Sequence, residues 1–226
     1  MDNYLSRSKQ LLGEEVIDSF ANKTILVIGL GGVGGTAFNA LVRSGFKKFV
    51  IIDKDTVDET NLNRQILFTG KDVGRDKVEV AKEFALSISS DIEVVTNKCF
   101  VDESSIQKLD NYHIDFIIDA IDYIPGKIAI AKYALNKNIP FILSLGMGNR
   151  IDPEKVTITS LNKTENDPLA KKLRYEFRQE NISLSSIPVI FSKEEPIVKQ
   201  PKPSSMMMVP STAGLLLAKY VIEKVR

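Results

Sequence analysis

A β-branched run, Thr24-Ile25-Leu26-Val27-Ile28, leads straight into Gly29-Leu30-Gly31-Gly32-Val33-Gly34, and Ala37, Ala40, Leu41 and Val42 then follow at helical spacing. A G-x-G-x-x-G turn between strand and helix narrows the fold more than any other feature of the chain. Gly29 permits the tight turn, Gly31 lets backbone approach a phosphate, and Gly34 lets the helix pack closely on the strand. The helix N-terminus then offers free N–H groups and the positive end of its dipole to an anion. A second strand, Phe49-Val50-Ile51-Ile52, ends in Asp53, placed as the acid that takes a ribose about 20 residues after such a turn. By these features alone, a nicotinamide-binding protein is one reading.

The next stretch shifts the balance. Asp53-Lys54-Asp55-Thr56-Val57-Asp58 and Asn61-Leu62-Asn63-Arg64-Gln65 are too polar for a buried helix and too organised for a random loop. Arg64 carries a planar donor fork suited to phosphate oxygens, and Asn61 and Gln65 can bond sugar and phosphate alike. The loop suits a triphosphate; the other reading of Arg64 is a surface salt bridge with Asp55 or Asp58.

D-x-D-x-V-x-x-x-N-L-x-R-Q after the GxGGxG strand resembles the adenylating domain shared by the ubiquitin-activating enzymes and the bacterial ThiF/MoeB/HesA proteins. The resemblance runs through the whole chain. It implies a homodimer that binds ATP and Mg2+ and adenylates a carboxylate. The implied fold is α/β, a Rossmann-like doubly wound sheet, mainly parallel, over residues 1–150, followed by a C-terminal α+β extension over 151–226. In the family, the segment equivalent to Tyr4–Gly13 crosses the dimer and carries an arginine into the neighbour's ATP site; by analogy Arg7 is that finger, against the alternative of an exposed helix cation. Lys77, in the first turns of a helix through Ala81, Phe84, Ala85 and Ile88, stands where the family keeps its ATP-phosphate lysine, with Arg75 as an alternative cation. The family's D-x-x-D is Asp119-Ala120-Ile121-Asp122 here. Its second acid, Asp122, is the implied Mg2+ ligand, with Asp119 nearby in support. Tyr123 replaces the usual Asn after that acid. The implied ATP site thus comprises Gly29, Gly31, Gly32, Gly34, Asp53, Asp55, Asn61, Arg64, Gln65, Lys77, Asp119 and Asp122, with Arg7, Arg64, Lys77 and Asp122 as its catalytic members.

Bulk properties fit. With 226 residues, 43% of them hydrophobic and 26% charged, the chain can bury a sizeable core. A net charge of +1 argues against a broadly basic surface, so nucleic acid would need a local patch. The single cysteine, Cys99, excludes an internal disulfide and a Cys-x-x-C zinc site. It reads as a small buried hydrophobe rather than a nucleophile, and the only histidine, His113, as a surface residue. The first residues carry no apolar signal segment, which points to the cytoplasm; residues 1–20 read as one polar helix with Leu5, Leu11, Leu12, Val16, Ile17 and Phe20 as its apolar positions. Further on, Ile114–Ile118 reads as a strand, Pro125 opens a helix, Pro140–Leu145 is the following strand, and Gly146-Met147-Gly148 a turn at the edge of the site.

Beyond Arg150, Val156–Thr159 alternates as a strand, and Asp167 caps a helix opened by Pro168 with Leu169, Leu173 and Phe177 on one face. Lys171, Lys172, Arg174 and Arg178 make the other face basic; a solvated face is the default reading of such a cluster. K-T-x-x-D-P-L-A-x-K-L-R over residues 163–174, with Pro188-Val189-Ile190-Phe191-Ser192-Lys193-Glu194-Glu195-Pro196, is similar to one branch of the family, the tRNA threonylcarbamoyladenosine dehydratases. The thiamine and molybdopterin branches lack these motifs and usually carry zinc cysteines. This likeness implies, as substrate, tRNA bearing threonylcarbamoyladenosine beside the anticodon, and makes the basic face a candidate tRNA contact. Adenylation of the C-terminal glycine of a ubiquitin-like carrier is the alternative. Residues 200–210 read as a mobile loop or linker, and 211–224 as a helix that docks on the core or across the dimer, with membrane association as the other reading.

Overall fold

The computed structural model describes residues 4–198 and 203–226. The expected first helix is two: α1 (Ser6–Leu12) and α2 (Glu14–Phe20), broken at Gly13, whose φ of 91° lies where only glycine is unstrained. Residues 1–3 of that expected helix lie outside the described residues. Ile17 and Phe20 are buried while Leu11 is 81% exposed, so the apolar face is carried by the second piece.

The chain then alternates: β1 (Thr24–Ile28), α3 (Gly34–Arg43), β2 (Lys48–Ile52), α4 (Lys77–Ile88), β3 (Glu93–Asn97), the one-turn-plus α5 (Glu103–Gln107), β4 (Phe116–Asp119), α6 (Ile124–Lys137) and β5 (Phe141–Ser144). It closes with β6 (Val156–Ser160), α7 (Pro168–Gln179), β7 (Pro188–Ser192) and α8 (Met208–Val225). All the strands join one seven-stranded sheet in the order β3-β2-β1-β4-β5-β7-β6. Every neighbouring pair is parallel except β6–β7, where Val156 faces Ser192 and Ser160 faces Pro188. The C-terminal extension therefore adds both of its strands to the edge of the sheet.

Successive side chains of a strand point to opposite faces, and the inner strands are apolar on both because both are covered. Ile25, Val27, Phe49, Ile51, Phe116 and Ile118 pack beneath α3, α4 and α8; Leu26, Ile28, Val50, Ile52 and Ile117 pack beneath α5, α6 and α7. The terminal helix docks on α3 with Val209, Ala213, Leu217 and Val221, four-residue steps along one buried stripe. It starts at Met208, three residues before the expected boundary, and takes Pro210 into its first turn. Gly214 makes the contact close, since a Cβ there would lie 2.5 Å from the Val33 carbonyl oxygen. Among the described residues no helix is long and apolar enough to cross a membrane. Of the expected linker, residues 200–202 lie outside the described residues.

The chain reverses direction across the sheet after β3, so β1 and β4 are neighbours whose following segments diverge. That is the switch point where open α/β sheets form a crevice at the carboxyl ends of their strands.

Candidate active site

The crevice is there, a cleft of about 560 Å³ lined by the turns that follow β1, β2, β4 and β5. Gly29 leaves β1 with φ 90° and lies so close to β4 that a Cβ would stand 2.7 Å from the Ala120 oxygen. A Cβ on Gly34 would come within 1.9 Å of the Gly29 oxygen, so the α3 N-terminus can seat only on glycine. A Cβ at Gly31 would meet only Gln65 Nε2, at 3.9 Å, and Gly32 lines the cleft beside it.

Asp53 braces this turn. Its carboxylate accepts from the Leu30 N–H at 2.6 Å and, through the other oxygen, from the Asp55 N–H at 2.8 Å. Lys77, buried on the first turn of α4, lines the cleft 3.5 Å from the Asp55 carboxylate. Burial works against the Asp55 charge, but the hydrogen bond from Lys54 and the Lys77 charge outweigh it and hold its carboxyl below the ordinary value. Of the two alternative cations, Arg75 pairs with Asp72 and Glu83 away from the cleft wall.

Arg64 also lines the cleft, its Nη1 donating to the Thr60 carbonyl and to Asn63 Oδ1, both at 2.8 Å. Asp55 is engaged by the two lysines instead. Asn61 lines the cleft while its side-chain oxygen caps its own turn by accepting the Asp58 N–H. Gln65 is 5% exposed and its Oε1 has no partner among the described residues. A buried acceptor left open on a cleft wall suits a hydroxyl donor such as a ribose.

Asp122 and Asp119, alike in sequence, separate here. Asp122 is exposed on the cleft wall next to Tyr123, which meets Phe100 edge-on at 4.6 Å. Asp119 is not on that wall. It is fully buried behind it, its Oδ1 accepting from the Ile121 N–H and from the equally buried Lys127, each at 3.1 Å. Burial pushes the Asp119 carboxyl up, and Lys127 opposes the rise. The expected ATP contact from Asp119 is thus corrected to a brace of the turn that carries Asp122. Period-two alternation carries the signal: Asp119 shares the face of Ile117, toward α6, where Lys127 stands.

Arg7 is exposed on α1 and is not on the wall of its own cleft. Leu5, at the start of that helix, packs by Gly45, just before β2 and thus at the amino end of the strands. Cys99 is half-buried at the cleft edge, and burial raises its thiol pKa, the opposite of what a thiolate nucleophile needs. His113 is 88% exposed.

On the far wall, Gly146, Met147 and Gly148 follow β5 and face Leu169, Pro203 and Ser205. Asp167 caps α7 by accepting the Ala170 N–H at 2.8 Å. Lys171, Lys172 and Arg178 project outward, but Arg174 is half-buried and donates to the Thr164 carbonyl at 3.1 Å and to its hydroxyl. The basic face is therefore three residues rather than four. Arg150, which the sequence did not single out, is 4% exposed and donates to the carbonyls of Gly146, Gly148, Glu194 and Asn166. The motifs over residues 163–174 and 188–196 converge on it, through Asn166 and Asp167 of the first and Glu194 of the second.

The cleft thus joins the glycine turn, the cations Lys54, Arg64 and Lys77, the buried Asp53 and the exposed carboxylates Asp55 and Asp122. Known proteins resemble the chain in both fold and sequence. The chain is 37% identical to the tRNA threonylcarbamoyladenosine dehydratase of Bacillus subtilis over 98% of its own length and 94% of the relative's. It is 37% identical to the Escherichia coli dehydratase over 76% of the chain and 64% of that relative. The solved E. coli enzyme, TcdA, superposes with a TM-score of 0.92 in its ATP complex and 0.91 in its AMP complex, at 32% identity. These alignments cover 98% of this chain and 93% of the solved one with ATP, and 97% and 92% with AMP. The ThiF family model matches residues 5–173, and the chain belongs to the ThiF family.

Proposed function

We propose that this protein is an ATP-dependent enzyme that adenylates the carboxylate of N6-threonylcarbamoyladenosine beside the anticodon of tRNA and so drives its dehydration to the cyclic form. The observation that carries this reading is end-to-end similarity to a dehydratase of that name, together with a fold shared with its ATP-bound E. coli counterpart.

Hydroxide leaves a carboxylate poorly; ATP supplies AMP as the leaving group. The carboxylate oxygen attacks the α-phosphorus and pyrophosphate departs. A group of the same side chain then attacks the acyl carbon, AMP leaves with the bond pair, and one proton is lost. Because attacker and carbonyl are tethered, proximity contributes up to ~7–11 kcal/mol, and no enzyme nucleophile is required. Cys99 has no part in this scheme.

The chain's own residues bind and offset charge. Gly31, Gly32 and the α3 N-terminus hold phosphates, Arg64 and Lys77 neutralise them, Asp53 takes ribose, and Asn61 and Gln65 add polar contacts. Asp122 would hold Mg2+. No group of three or more potential metal-ligating side chains occurs among the described residues, and Mg2+ is commonly held by one or two carboxylates plus substrate phosphates. Bound there, Mg2+ would supply charge stabilisation at the triphosphate. The protein acts as a homodimer in which Arg7 reaches the neighbour's cleft, supported by its absence from its own cleft wall. Lys171, Lys172 and Arg178, on a helix that starts at the cleft rim, contact tRNA phosphates in the cytoplasm. No observation favours carrier-protein adenylation over the tRNA reading, and a nicotinamide ligand leaves Arg64 and Lys77 without a triphosphate to offset.

Treating tRNA that bears the modification with enzyme, ATP and Mg2+, then digesting it for mass spectrometry, should yield a nucleoside lighter by one water. An unchanged nucleoside contradicts the reading.

A further inference from the structure

We propose that the turn Gly146-Met147-Gly148 holds the carboxylate of the acceptor through backbone N–H, with Arg150 as the positioning residue that aims the N–H of Met147. The inference rests on the adenylating function above. Adenylation must bring a second anion beside the triphosphate, and the residues described so far serve ATP and its Mg2+ rather than the acceptor.

Three features point to this turn. The N–H groups of Gly146, Met147 and Gly148 donate to no partner among the described residues, although all three residues line the cleft. The carbonyls of Gly146 and Gly148 are drawn away by Arg150 Nη1, at 2.6 and 3.3 Å. In a planar trans peptide the N–H points opposite to the preceding carbonyl, so the Met147 N–H is aimed away from Arg150. The Gly148–Asn149 unit, also turned by Arg150, sends its own N–H toward the cleft wall. The Asn149 N–H, opposite the Gly148 carbonyl, reaches the Ser204 oxygen at 2.6 Å, and Ser204 lies between Pro203 and Ser205, both on the cleft wall.

Arg150 does not itself present a charge to the substrate. It is buried, and its guanidinium lies 3.7 Å from the Asp167 carboxylate. Its effect passes through the peptide units, whose N–H groups become better donors when their carbonyls accept from a cation. Successive N–H groups of this kind form anion-binding concavities. Asn149 keeps a left-handed φ of 62°, held by exchanging two bonds with Ser204, and this fixes the end of the turn.

The test uses the full-length, 15N-labelled protein with an α,β-methylene ATP analogue. The second ligand is an anticodon stem-loop carrying the modified nucleoside, either as the free acid or as its methyl ester. The acid should move the Met147 amide signal, the ATP analogue alone and the ester should not, and the acid should bind about tenfold more tightly, the loss expected when one charge-assisted hydrogen bond is removed. Arg150→Met should erase that preference while binding the ATP analogue within about twofold of wild type. Equal binding of acid and ester, a Met147 shift with the ATP analogue alone, or an Arg150→Met variant that keeps the preference would each overturn the proposal. Should the variant not fold, the wild-type comparisons decide. AMP release that depends on the modification without any acid-over-ester preference overturns this inference only; no AMP release with modified tRNA overturns the function itself.

Discussion

Asp122, Asp119 and Asp55 show how little a carboxylate's identity says apart from its surroundings. Asp122 stands exposed on the cleft wall, so Asp122→Ala should lower AMP release by ~100-fold or more while leaving unfolding nearly unchanged. Activity within a few-fold of wild type would remove the Mg2+ assignment. Asp119 is paired at zero exposure with Lys127. Removing only Lys127 strands a buried carboxylate, and Lys127→Met should cost ~3–5 kcal/mol in urea unfolding, more than the double variant with Asp119→Leu. Asp55 titrates below its ordinary 3.8 in the fold. Its contribution to stability is complete above the unfolded value and is lost as pH falls through the lower folded one. Below about pH 4 the wild-type Tm should therefore fall more steeply than that of Asp55→Asn.

Among the elements, α8 packs closely on the turn and helix that follow β1. A Cβ at Gly214 would meet the Val33 oxygen at 2.5 Å and Thr36 Cβ at 2.6 Å, both on the turn that enters α3. Gly214→Ala should cost ~1–3 kcal/mol in thermal unfolding and weaken ATP binding, because α3 must shift to make room; unchanged values for both would show that α8 yields instead. Elements written in local sequence are legible from it: the strand–glycine–helix turn, the Asp167-Pro168 start of α7, and Pro125 in the first turn of α6. The break at Gly13 was obscured because Leu11, Leu12 and Val16 continue a helical pattern across it, although Leu11 proves to be exposed. Arg150 was illegible for a different reason. Its partners at 146, 148, 166 and 194 are backbone carbonyls, which carry no sequence signal, and they meet only once β7 lies beside β5.

At the scale of the whole molecule, a cleft open at the strand ends and an arginine displaced from it make sense together if two copies complete each other. Mixing Arg7→Ala with Asp122→Ala chains, each inactive alone, should restore roughly a quarter of wild-type activity, since half the dimers are mixed and each has one intact site. No recovery under conditions that exchange subunits would place Arg7 outside catalysis. The central claim is that this cleft spends ATP on a carboxylate found only on modified tRNA, and it is tested most directly by release of AMP and pyrophosphate. Release with tRNA carrying threonylcarbamoyladenosine, and none with the same tRNA lacking it, is the predicted result. Equal release with both, or ATP binding without release from either, would contradict the account.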